Sequence, residues 1–64
     1  MDEIKKEIEN FKNQMLGFKN GFEYIKELRI NDFVKTASCY IIEDIKNYTS
    51  LFDEFYRTID GMNS

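Results

Sequence analysis

The chain has 64 residues, a net charge of −3, one cysteine, no histidine and no proline. A single cysteine excludes an internal disulfide, and the missing histidines remove the usual structural zinc sets, so neither a metal nor a cofactor is expected. No apolar run approaches the length of a membrane span, and a pI near 4.8 with two arginines argues against generic duplex binding.

The first element opens at Asp2 and Glu3, whose charges suit a helix N-terminus. From there the apolar residues Ile4, Ile8, Phe11, Met15, Phe18, Phe22 and Ile25 step by alternating threes and fours, the spacing of a heptad seam. With Ile4 placed at d, Ile8, Met15 and Phe22 fall at a. Gly17 and Gly21 interrupt this stretch together with an Asn-Gly dipeptide, a turn signal. The apolar phase nevertheless runs through both glycines, which a loop would reset. A helix over about residues 2–30, continuous or bent, is the expectation.

Asn31 and Asp32 come next. Asn tolerates the left-handed conformation that ends many helices, and Asp is a good N-cap for a following one. A turn at 31–32 is too short for anything but antiparallel neighbours. The second stripe then reads Val34, Ser38, Ile41, Ile45, Tyr48, Phe52, Phe55, Ile59 and Met62, with Val34 at d. It predicts a helix over about residues 32–60, stopped at Gly61. Folding at the turn sets Ile4 against Ile59, Ile8 against Phe55, Phe11 against Phe52, Met15 against Tyr48, Phe18 against Ile45, and Phe22 against Ile41.

The fold class is therefore all-α: one domain, residues 1–64, forming an antiparallel two-helix hairpin with a heptad seam. Ala37 and Leu51 at g, and Ile42 and Tyr56 at e, widen the second stripe beyond what one hairpin needs. A chain this short also gains little from its own core. Both points predict a homodimer, a four-helix bundle built on the seam residues Ile8, Phe11, Met15, Phe18, Phe22, Ile41, Ile42, Ile45, Tyr48, Leu51, Phe52, Phe55 and Ile59.

Three features bear on function. Large residues outside the seam gather in sequence around the turn: Tyr24, Ile30, Phe33, Cys39 and Tyr40. Aromatic residues rimmed by charge mark binding surfaces, so these form the candidate partner-protein site. Lys5, Lys12, Lys19 and Lys26 recur every seven residues at e. Such an edge either covers the seam with its aliphatic stems or tracks the phosphates of RNA. In length and architecture the hairpin resembles Rop-like RNA-binding bundles, which makes RNA binding the first alternative. Tyr40 with Asp44, and Tyr56 with Asp60, match a Tyr-x-x-x-Asp spacing. It resembles the export signal of type VII-secreted helical hairpins, although their Trp-x-Gly turn is missing; a helical partner of a secretion system is the second alternative.

Catalytic machinery is not apparent. There is no phosphate-cradling glycine loop and no nucleophile beside a base. The adjacent acids Glu43-Asp44 and Asp53-Glu54 point about 100° apart on a helix and cannot converge. The N-terminal stretch has no apolar signal region and Cys39 is unpaired, so a reducing, cytoplasmic setting is expected. Eight Ile, seven Lys and six Asn against a total of six Ala, Gly, Arg and Pro suggest an AT-rich source, bacterial, phage or plasmid. The expected role is a non-enzymatic regulator, adaptor or phage- or plasmid-encoded inhibitor that binds a partner protein.

Overall fold

A computed structural model describes residues 2–62. They form two helices, α1 (Asp2–Glu27) and α2 (Asp32–Met62), packed along their length in an antiparallel hairpin about 50 Å long, 15 Å wide and 11 Å thick. The described residues contain no strand. No helix among them is long and apolar enough to cross a membrane.

α1 passes through Gly17 and Gly21 without a break. Neither glycine is there to let α2 approach, because a Cβ at either would meet nothing within 4 Å. The helix survives them because its buried face is continuous: packing of an amphipathic face outweighs about 1 kcal/mol of lost propensity per glycine. α2 likewise continues through Gly61 to Met62, so the stop expected at Gly61 is not made there.

The connection differs from the expected turn at 31–32. α1 ends at Glu27, three residues earlier than its stripe suggested, and residues 28–31 form the link. The left-handed residue is Arg29, with φ 52°, and not Asn31. Its amide donates to the Lys26 carbonyl and the Leu28 amide to those of Tyr24 and Ile25, which satisfies the last turn of α1. Asn31 is instead the N-cap of α2: its side-chain oxygen accepts from the Val34 amide at 2.8 Å, and its carbonyl accepts from Lys35 at 3.1 Å. Asp32, expected as the cap, is the first helical residue, where its charge favours the helix dipole.

The register of the two helices agrees with the pairing read from the stripes. The rings of Phe11 and Phe52, expected partners, lie 6.5 Å apart between centroids. The faces that meet, however, are turned from the a/d seam. The buried positions are Ile8 and Ile45 at a, Ile42 at e, and Ser38 at a, the last only 2% exposed. Lys5, Lys12 and Lys19 at e of α1 are half-buried, as are Thr49 and Tyr56 at e of α2. The hairpin thus closes on columns a and e. The side chains suit this arrangement: Ile42 at e supplies branched apolar bulk that α2 buries, and the half-buried lysines at e of α1 can lay their aliphatic stems along the edge of the contact.

Candidate protein interface

Closing on a and e divides the hairpin into two broad faces. In an antiparallel pair the same columns of both helices emerge on the same side, so e and b share one face while d and g share the other.

The e and b face is polar and internally paired. The Lys5 ammonium donates to Asp60 at 2.8 Å and stands 5.4 Å from the centre of the Tyr56 ring. The hydrogen bond to Asp60 is the main reason that Lys5 holds its proton more tightly than an ordinary lysine. Lys12 donates to Asp53, and Lys19 pairs with Glu23 one turn ahead at 3.2 Å. A shallow groove here is lined by Ile8, Lys12, Phe52, Asp53 and Tyr56. A second, nearer the turn, brings Tyr24 and Lys26 beside Ile42 and Lys46.

The d and g face is apolar and uncovered. Phe11 and Ile4 of α1 are close to half exposed, and Phe18 reaches 59%. On α2, Tyr48, Leu51 and Phe55 are each more than half exposed. These six side chains occupy the half of the rod away from the turn, from Ile4 to Phe18 on α1 and on the stretch of α2 opposite them. Among the described residues three apolar side chains are buried in the hairpin itself, Ile8, Ile42 and Ile45. More large hydrophobic residues lie open on this one face than are enclosed in the core, an inversion of the usual distribution in a monomer.

The residues gathered near the turn are exposed: Tyr24, Ile30, Phe33, Cys39 and Tyr40 all face solvent. They do not form one patch. Column c of each helix points directly away from its neighbour, so Tyr24 on α1 and the Phe33, Tyr40 pair on α2 sit on opposite outer flanks. Tyr24 lines the groove with Ile42, in which Phe33 and Tyr40 take no part. Cys39 is a free, exposed thiol.

Apolar periodicity does not single out four further residues, all exposed: Glu7 and Asp44 at g of the uncovered face, and Glu3 and Glu54 on the outer column c that adjoins it. Their signal is an absence that the sequence does display, for no lysine or arginine of either helix stands at c, d or g. Among the described residues no group of three or more Cys, Asp and Glu converges to hold a metal ion. In comparison with known proteins, the chain matches no family model, no curated protein and no solved structure.

Proposed function

We propose that this chain is a non-enzymatic protein-interaction module, a regulator, adaptor or inhibitor that acts by covering its d and g face with helices of another molecule. The observation that carries the reading is the exposure of Phe11, Phe18, Tyr48, Leu51 and Phe55 along one side of a hairpin whose own core holds three apolar residues. So small a core weighs little against the entropy of ordering two long helices.

In the absence of another partner a second copy meets the same need. Two hairpins stacked face to face make a homodimeric four-helix bundle in which the d columns become core. Sedimentation equilibrium tests this: the expected mass is that of a dimer at micromolar concentration, and Phe18→Asp with Phe55→Asp returns the chain to a monomer. A wild-type chain that remains monomeric, fully helical and cooperatively folded would remove the dimer.

RNA binding through Lys5, Lys12, Lys19 and Lys26 has less support. Three of these ammonium groups have carboxylate partners within the hairpin, and each phosphate contact would first have to displace one.

A further inference from the structure

The rim of the apolar face carries a charge pattern that bears on its occupant. Columns c, d and g together hold four acids, Glu3, Glu7, Asp44 and Glu54, and no base. The rest of the chain holds eight acids against nine bases, so it is close to neutral. The chain's excess of acid over base therefore lies on the apolar face, at Glu7 and Asp44, and on the outer column beside it, at Glu3 and Glu54. The opposite face has its cations matched by Asp60, Asp53 and Glu23; here the acids have no cation on their own columns.

We infer that the preferred occupant of this face is a basic amphipathic helix of a partner protein, which displaces the second copy. The inference rests on the d and g face being the association surface. Its apolar stripe packs on the exposed rings of Phe11, Phe18, Tyr48 and Phe55, and its flanking lysines or arginines meet the acids on either side. A second copy matches the apolar stripe equally well but brings an identical acid rim. An isologous contact places like charge around like charge, which weakens it and leaves it exchangeable. The two occupants therefore respond to salt in opposite directions: screening strengthens the dimer and weakens the complex with a basic helix.

The test uses the full chain and a fluorescently labelled Leu/Lys amphipathic peptide of about 21 residues, long enough to lie along roughly 30 Å of the face. A Leu/Glu peptide of the same pattern is the counterpart. The Leu/Lys peptide is expected to bind at least about tenfold more tightly, with affinity falling as salt is added. Glu7→Gln with Glu54→Gln should weaken it about tenfold, whereas Glu27→Gln with Glu43→Gln, an equal change of net charge placed at f, should weaken it by less than about twofold. Circular dichroism of each variant confirms that the helices are kept. Equal losses from the two pairs of substitutions, or equal binding of the two peptides, would overturn the inference, because net charge alone or apolarity alone would then explain the affinity. Sedimentation of the same samples separates this from the underlying reading. Binding retained by Phe18→Asp with Phe55→Asp would place the peptide off the apolar face and defeat both. A dimer that excludes the Leu/Lys peptide would preserve the interaction surface and defeat only the basic partner.

Discussion

The two broad faces of the hairpin solve the same problem in different ways. Both flank the a and e contact, and both must shield its edges from water. On one face α1 places lysines whose stems lie over the contact and whose ammonium groups reach Asp60 and Asp53 of α2. That edge is completed within the chain. On the other face the same job falls to Phe11, Phe18, Tyr48 and Phe55, large rings that remain about half exposed. That edge is left for another molecule. The comparison shows how a two-helix protein can be finished on one side and open on the other without any change of helix geometry: the choice lies in whether a column next to the contact carries lysine or phenylalanine.

Substitutions can break this contrast from its centre outward. Ile45→Ala empties a position that is only 5% exposed in the middle of the hairpin, and it should cost about 2–5 kcal/mol. In so small a domain that loss is expected to abolish the cooperative thermal transition, as read by circular dichroism. Phe18→Ala removes as large a side chain from the open face. Its effect should depend on protein concentration, large where the chain associates and small where it is dilute. Equal losses from both variants at every concentration would erase the distinction between core and open face.

Smaller effects test the ends and edges. Asn31→Ala deletes the cap on Val34 and should lower stability by about 1 kcal/mol, whereas Asp32→Ala should cost less. Gly17→Ala projects into open space and should stabilise α1 by about 0.5–1 kcal/mol. The smallest effect belongs to the paired face. Because Lys5 holds its proton more tightly in the fold, the stability it contributes is complete below the ordinary lysine value of 10.5 and is lost as the pH climbs through the higher folded value. The difference in denaturation midpoint between wild type and Lys5→Gln should accordingly shrink only at strongly alkaline pH, and it should also shrink in high salt.

Much of this was legible in the residues. Steps of three and four from Ile4 to Ile25 and from Val34 to Met62 define two helices, and folding them together pairs Phe11 with Phe52, as observed. The rotation of the contact toward e was harder to read. A lysine column looks like solvated charge until Lys5, Lys12 and Lys19 are found half-buried at the contact, and both a/d and a/e stripes are apolar enough on α2 to serve. The position of the turn is hidden in the sequence for a different reason. Nothing about Arg29 announces a positive φ, while Asn31 is equally suited to end one helix or cap the next, and it does the second. Tyr24, Phe33 and Tyr40 group by their nearness in sequence to the turn, which carries no direction around the rod, and column c of one helix faces away from column c of the other.

The central claim is that the open d and g face associates, with a second copy where no other partner is present, and sedimentation equilibrium across about 1 to 100 μM chain tests it most directly. The account expects a mass that rises from the 7.7 kDa of a single chain toward twice that value, reaching it at lower concentration when salt is raised, with Phe18→Asp and Phe55→Asp together holding the chain at the single mass. A wild-type chain that stays at 7.7 kDa over the whole range while fully helical and cooperatively folded would contradict it.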